Sequence, residues 1–365
     1  MTVSAIVLAA GEGSRMRSNR PKPLHLICGR PMVMHVIHAL EDAAPERTVV
    51  VVGHGAERVT KKVQEQSPLW ANVTFVEQTV QRGTGDAAMV GLDGLPGDDL
   101  DDTSTILVLP GDTPLLQPDS IAQLVATHIA NGYAATLITT VLDDPTGYGR
   151  VVRAPAKHGE GRVMRIVEER DASTDERAIR EVNTSMYAFR RDLLGPALRR
   201  LSPDNAQGEY YLTDVIGSLA AMGHLIGCVQ VPESETRGVN DRWQLAMAER
   251  ELRARTNRRH LLNGVTMLDP RQTFIDVTVR LGRDVTLFPG TILQGDTVVG
   301  DGCEIGPDTR LVDCTVGDGA VVEHTVGRES HVGEHSHVGP FAHLPSGSTV
   351  ASEAVTGAFY TAPVE

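Results

Sequence analysis

The sequence predicts an α/β protein: a layered N-terminal domain of alternating strands and helices, followed by short strands wound as a parallel β-helix. Three observations carry this. From Met1 to about Thr236, short apolar runs alternate with helix-like segments, the pattern of a sheet covered by helices. Asp241 to Leu262 is rich in Ala, Glu, Leu, Arg and Met, with Leu245, Ala248 and Leu252 near helical spacing, and reads as one long connecting helix. Beyond about Leu281, small residues return every six positions, the mark of a solenoid whose coils must stack to bury a core.

The first strand is the unbroken apolar run Ser4-Ala-Ile-Val-Leu-Ala-Ala10, the form taken by a parallel strand buried on both faces. Gly11-Glu-Gly-Ser-Arg-Met16 and Arg20-Pro-Lys-Pro-Leu24 follow at once. Gly11 and Gly13 permit a sharp turn and close approach of backbone N–H groups to an anion. Arg15 and Lys22 add positive charge beside them, so the segment reads as a phosphate-handling loop with a nucleotide as ligand. A dinucleotide fingerprint needs a third glycine where Met16 stands, and a Walker loop needs Gly-Lys-Ser/Thr, which is missing there. Taken alone, the segment fits a tight strand-to-helix turn with solvated charges equally well.

Further strands are expected at Thr48–Val52, Val73–Val76, Thr105–Leu109 and Ala134–Val141, with helices at Met32–Glu41 and Ser120–Ala130. Polar and glycine residues gather after several of these strands, at Gly53-His-Gly55 and Gly111-Asp112 as at Gly11. Ligands of open α/β sheets sit at such carboxyl ends. On local grounds alone, Asp112 reads as a turn residue. Asn240 reads as the cap of the helix that begins near Asp241.

In the repeats the small residues are Thr291, Thr297, Cys303, Thr309 and Thr315; after a slip near Val321 to Thr325 they resume at Ser330, Ser336, Ala342 and Ser348. About four coils are expected, with His324, His331, His335, His337 and His343 on their outer faces. A short solenoid ending in Phe359-Tyr-Thr-Ala-Pro-Val-Glu365 without a capping helix is expected to oligomerise.

Length and composition bound the function. At 365 residues the chain exceeds one ordinary domain. A formal net charge of −13 argues against nucleic acid or an anionic membrane as partner. Cys28, Cys228, Cys303 and Cys314 form no CxxC pair, so neither zinc nor a disulfide framework is indicated, and a cytoplasmic location is expected. No apolar stretch approaches the roughly 18 residues of a membrane span.

Several separated segments together resemble one family. They are Leu8-Ala-Ala-Gly-Glu-Gly-Ser-Arg-Met16, Pro21-Lys22, Gln78 with Gly83-Thr-Gly85, Gly111-Asp112, Asp144-Pro-Thr-Gly-Tyr-Gly-Arg150, Glu168, Val182-Asn-Thr184, Asn205-Ala-Gln-Gly-Glu-Tyr-Tyr-Leu-Thr-Asp214 and Gly238-Val-Asn240. The chain looks like a bacterial N-acetylglucosamine-1-phosphate uridyltransferase, over about Thr2 to Leu281 and on into the repeats. The first motif marks the wider sugar-nucleotidyltransferase group; Pro-Thr-Gly-Tyr-Gly-Arg with Asn-Ala-Gln-Gly-Glu-Tyr-Tyr is specific to the subfamily. The resemblance implies a Rossmann-like nucleotidyltransferase domain with a mixed, mostly parallel sheet over 1–236, a linker helix over 237–265, and a short left-handed parallel β-helix with its tail over 266–365. It implies transfer of UMP from UTP to N-acetylglucosamine-1-phosphate for cell-wall precursor synthesis, in a homotrimer joined through the β-helix.

By the same resemblance Asp112 and Asn240 hold Mg²⁺, while Arg15 and Lys22 clamp the triphosphate and stabilise departing pyrophosphate. The backbone of Leu8, Ala9, Ala10 and Gly11, with Gln78, Gly83 and Thr84, would cradle the uridine, and Gly111 is a further substrate-binding residue. Gly149, Glu168 and Asn183 would face the sugar. Ser185 and Met186 depart from the family pattern, which usually has glycine and an aliphatic residue there, so a slightly reshaped sugar pocket is expected. Relatives also transfer acetyl from acetyl-CoA on a longer β-helix; this sequence has Pro345-Ser-Gly-Ser348 and a tail after Gly339-Pro-Phe-Ala-His-Leu344, and acetyltransferase activity is expected to be absent. Another sugar-1-phosphate nucleotidyltransferase, or a nucleotide-binding scaffold without turnover, are the alternatives; Arg15, Lys22, Asp112 and Asn240 together argue against the scaffold.

Overall fold

The structure, a computed structural model, describes residues 2–96, 104–155 and 161–364. It divides into two compact units, one of residues 1–25 with 31–245 and one of residues 26–30 with 246–365.

The first unit is built on a nine-stranded sheet: β1 (Val3–Leu8), β2 (Arg47–Val52), β3 (Val73–Glu77), β4 (Thr105–Pro110), β5 (Ala135–Val141), β6 (Gly149–Arg153), β7 (Val163–Val167), β8 (Glu181–Arg190) and β9 (Ile226–Gln230). Seven strands lie in the order β9-β5-β8-β4-β1-β2-β3, and β6 and β7 extend from β8. Along that path only β8 runs against the others. The apolar runs of β1, β2 and β4 are explained by burial on both faces: Ala5, Val7, Val50 and Leu107 pack into the core on one side, and Ile6, Val49, Val51 and Val108 into the core on the other. Helices α1 (Met32–His38), α2 (Ala56–Gln66), α3 (Thr84–Asp93), α4 (Pro118–Asn131), α5 (Arg191–Leu198) and α6 (Asp214–Ala221) supply the covering layers. The long helix expected from Asp241 is α7 (Arg242–Leu262).

The second unit holds three five-stranded parallel sheets, a β-helix whose first strand is Thr266–Met267. Each sheet therefore stacks five strands rather than the four coils expected. The slip also comes earlier than the sequence reading placed it. Thr291, Thr297, Cys303 and Thr309 are fully buried, but the next inward residue is Cys314, while Thr315 is exposed. Five-residue steps follow from 309 to 314, 320 to 325 and 325 to 330. The coil shortens with them: Ile292 pairs with Arg310, 18 residues on, whereas Arg310 pairs with Val326, 16 residues on. A threonine next to a cysteine satisfies a search for small residues in either register, and only the pleat decides which faces in. His331, His335, His337 and His343 are exposed on the coils, as expected, and His324 is half-buried. No described helix is long and apolar enough to cross a membrane.

Candidate active site

At the carboxyl ends of β1 and β4, within the first unit, lies a cleft of about 510 Å³. Its floor follows from strand pairing. The Gly111 N–H donates to the Leu8 carbonyl at 2.8 Å, holding the segment after β4 against the end of β1, and the Ala9 N–H donates to the Val51 carbonyl of β2 at 2.9 Å. Leu8, Ala9, Ala10 and Gly11 line the cleft, as do Gly111 and Asp112.

The two loop glycines do different work. Gly13 has φ +68°, and a Cβ there would stand 2.5 Å from Lys22 Cβ, so glycine is needed for the turn and to seat the lysine stem. Around Gly11 no atom lies within 4 Å of where a Cβ would be, so its bare backbone faces open space in the cleft.

Lys22, with a side chain 13% exposed, is the centre of the charged group. Its Nζ donates to Asp112 Oδ2 and, at 2.8 Å, to Asn240 Oδ1. Arg15, on an exposed turn, donates from its guanidinium to the same Asn240 oxygen at 3.1 Å. The Asn240 segment is fastened by the Val239 N–H, which donates to the Asp112 carbonyl at 2.9 Å. Asn240 is not the helix cap that local reading made it. Asp241 accepts the Gln244 N–H at 2.8 Å, as an N-cap does, and the Gln244 side chain accepts the Asn240 N–H, one residue before that cap, at 2.7 Å. The Asn240 side chain is thereby released to join Asp112. Arg242 secures the other side, donating from Nε to the Met16 carbonyl at 3.2 Å.

Gln78, Gly83 and Thr84 line the same cleft. Gln78 donates both amide protons inside the protein, to Asp86 Oδ2 at 2.7 Å and the Gly83 carbonyl at 3.3 Å, which leaves its oxygen as the group for a ligand. Gly83 has φ +113°, and a Cβ would strike the Tyr210 carbonyl at 2.6 Å. The Thr84 hydroxyl accepts the Leu212 N–H at 3.1 Å, so this threonine anchors the 205–214 segment.

At the remaining end, Glu168 lines the cleft and accepts the Thr213 hydroxyl at 3.0 Å. Burial pushes its carboxyl above the ordinary range; the Thr213 hydroxyl opposes this and the Asp214 and Asp171 charges add to it. Gly149 and Asn183 stand behind the cleft wall. A Cβ on Gly149 would press Ile166 at 3.0 Å and Glu168 at 3.4 Å. Asn183 is buried, donates to the Tyr187 hydroxyl at 2.7 Å, and keeps a buried Oδ1 without a partner among the described residues. Arg15 and Asn240 likewise do not line the cleft and reach it through Lys22 and Asp112.

Sequence reading singled out neither Gln81, whose amide donates to the Ala10 carbonyl at 2.6 Å, nor the cleft wall made by Tyr187, Gln207, Tyr211 and Thr213. The family motif from Asn205 to Asp214 contained the last three without assigning them a place.

Residues 5–210 match the MobA-like NTP transferase domain family. The chain is 47% identical over 328 residues to the bifunctional protein GlmU of Thermobifida fusca (strain YX), covering 90% of this chain and 66% of that one. It is 47% identical over 357 residues to the bifunctional protein GlmU of Streptomyces avermitilis, covering 98% of this chain and 72% of the relative. The chain belongs to the GlmU family. Like other members of the GlmU family it is a nucleotidyltransferase, and it spans about two thirds of the length of these curated relatives. The GlmU protein of Mycobacterium marinum is 46% identical, with 98% of this chain and 71% of the relative covered. A structure of UDP-glucose pyrophosphorylase complexed with UDP-glucose aligns with a TM-score of 0.55 at 14% identity, over 70% of this chain and all of that chain, a likeness of fold.

Proposed function

We propose that this chain transfers UMP from UTP to N-acetylglucosamine-1-phosphate, giving UDP-N-acetylglucosamine and pyrophosphate for cell-wall precursor synthesis, in the cytoplasm. The observation that carries it is the hydrogen-bonded group of Lys22, Asp112, Asn240 and Arg15, of which Lys22 and Asp112 line one cleft with the bare Gly11 backbone. Such a reaction needs no general base: a sugar phosphate is largely dianionic at neutral pH, its second pKa being about 6. What remains is holding the attacking and leaving oxygens in line and neutralising charge.

Asp112 and Asn240 fit Mg²⁺. Their two oxygens already converge on a single cation, the Lys22 ammonium, and hard oxygen donors, one or two from protein with waters besides, suit this ion. When bound it would neutralise triphosphate charge. Lys22 and Arg15 bind and orient the phosphates, the Leu8–Gly11 backbone with Gln78 and Gly83 holds the uridine, and Glu168, Gly149 and Asn183 position the sugar. Pyrophosphate release from purified protein with UTP, Mg²⁺ and N-acetylglucosamine-1-phosphate tests this; no release with that pair, but release with another nucleotide or sugar phosphate, would reassign the substrates.

We further propose that the described residues carry the uridylyl step without the acetyl step. Of the coil histidines that would be candidates, His331, His335, His337 and His343 stand on exposed faces and His324 is half-buried. A parallel incubation with acetyl-CoA and glucosamine-1-phosphate is expected to free no thiol. Assembly as a homotrimer through the β-helix is part of the same reading. Exposed Phe341 and Phe359 stack at 5.3 Å on that unit, and contiguous exposed apolar surface marks interaction sites. Sedimentation equilibrium should return three times the monomer mass, and a monomer would end this reading.

Glu168→Gln is expected to weaken sugar-phosphate binding about tenfold, the loss of a hydrogen bond to a charged group. The same change should raise the thermal midpoint at neutral pH. The carboxyl's raised pKa means that the folded chain holds its proton more tightly than the unfolded chain does. Its contribution to stability therefore falls as pH rises from the unfolded value through the folded one. The gain over wild type should widen in that direction; a gap that shrinks as pH rises would refute the burial argument.

A further inference from the structure

We propose that Ser185 is a specificity-determining residue for the sugar, its hydroxyl donating to a ring oxygen or hydroxyl of the bound ligand; this rests on the uridylyl-transfer reading above. Ser185 has φ +61°, the left-handed region, and among the described non-glycine residues it alone does so inside a strand of the nine-stranded sheet. The pairing of β8 with β5 shifts register between Asn183 and Tyr187. Bulges of this kind re-aim a side chain. Here the result is local: Thr184 and Met186 on either side are buried, while Ser185 is exposed into the cleft beside Glu168 and Thr213.

Behind it, the fully buried Tyr187 hydroxyl accepts from Asn183 Nδ2 at 2.7 Å, which fixes the strand on either side of the bulge. The Ser185 hydroxyl, turned to the cleft, is a donor for an acceptor there. A residue with a Cβ held in left-handed backbone is strained, and strain retained at a ligand cleft points to function. The chemistry selects a polyhydroxylated ring, because a uracil edge and phosphates are served at the opposite end by Gln78 and Lys22.

Isothermal titration of UDP and of UDP-N-acetylglucosamine, on wild type, Ser185→Gly and Ser185→Ala, tests the assignment. Both variants are expected to bind UDP as wild type does and UDP-N-acetylglucosamine about fivefold more weakly, the equivalent of one neutral hydrogen bond. Ser185→Gly should also melt higher than Ser185→Ala, since glycine alone relieves the left-handed strain. Unchanged affinity for the UDP sugar, or equal losses for both ligands, would overturn the role of Ser185 while leaving the parent reading intact. A wild type that binds UDP and UDP-N-acetylglucosamine equally would overturn the parent reading, and this one with it.

Discussion

Asp112→Ala is expected to abolish metal-dependent pyrophosphate release, lowering kcat/KM by about a thousandfold or more, while the protein remains folded. The loss combines two effects: one of the two oxygens fitted to Mg²⁺ disappears, and the negative charge that fixes Lys22 goes with it. Loss of a single well-placed charge-stabilising group costs about 10²- to 10³-fold in turnover, and a metal ligand removes more than its own contact. Folding should not suffer, because the side chain is 29% exposed and its described hydrogen bond is to Lys22. The main-chain link that joins this segment to Val239 uses the Asp112 carbonyl and survives the substitution. A far-ultraviolet melt within a degree or two of wild type, beside a lost rate, is the expected pair of results. Asp112→Asn should fall between, keeping a hard oxygen without the charge. Full activity in Asp112→Ala would remove this residue from the metal site.

How much of this was legible in the sequence depended on whether a residue's role is local. The strands β1, β2 and β4 were readable because burial on both faces leaves no polar residue to break the run. The loop after β1 was readable for the same reason of locality, since glycine and cation stand within a few positions of each other. β8 was not read as a strand. Asn183, Thr184 and Ser185 interrupt it, and those polar residues are tolerated because a bulge turns Ser185 to the cleft while Thr184 donates to the Ile138 carbonyl at 2.8 Å. The 205–214 wall was invisible by spacing, being held by bonds to distant residues: the Gly85 N–H donates to the Tyr210 carbonyl and the Thr213 hydroxyl to Glu168. Asn240 shows the opposite error. A cap was the sound local expectation, but Asp241 beside it does the capping, and no local rule separates two adjacent capping residues. In the β-helix the period was legible and its phase was not: Val279 stands where the next coil has Thr297, Val285 where it has Cys303, and Cys314 takes the inward place expected of Thr315.

Lys22→Ala is expected to do two opposite things, and the pair distinguishes its role from that of a surface charge. Turnover should fall about 10²- to 10³-fold, because a cation that meets the phosphates is removed from a partly enclosed cleft. Affinity for Mg²⁺ or Mn²⁺ in the absence of nucleotide should rise, by about tenfold. In the ligand-free chain the Lys22 ammonium sits on Asp112 and Asn240 together, and a metal must displace it from both before it can bind. A hydrogen bond to a charged group contributes about 1.5 to 3 kcal/mol, and with a lysine side chain only 13% exposed, water compensates little for its loss. On the proposed function the competition would have a use: a triphosphate would offer the ammonium a new anion, so that metal and nucleotide would favour each other's binding through one side chain. Lys22→Arg should not restore wild-type behaviour, since a planar fork cannot replace a point charge shared between two oxygens. Titration of Mn²⁺ followed by electron paramagnetic resonance reads the metal term without turnover. Unchanged or weaker metal binding in Lys22→Ala would show that the lysine does not compete for those oxygens, and would separate its phosphate role from the metal site altogether.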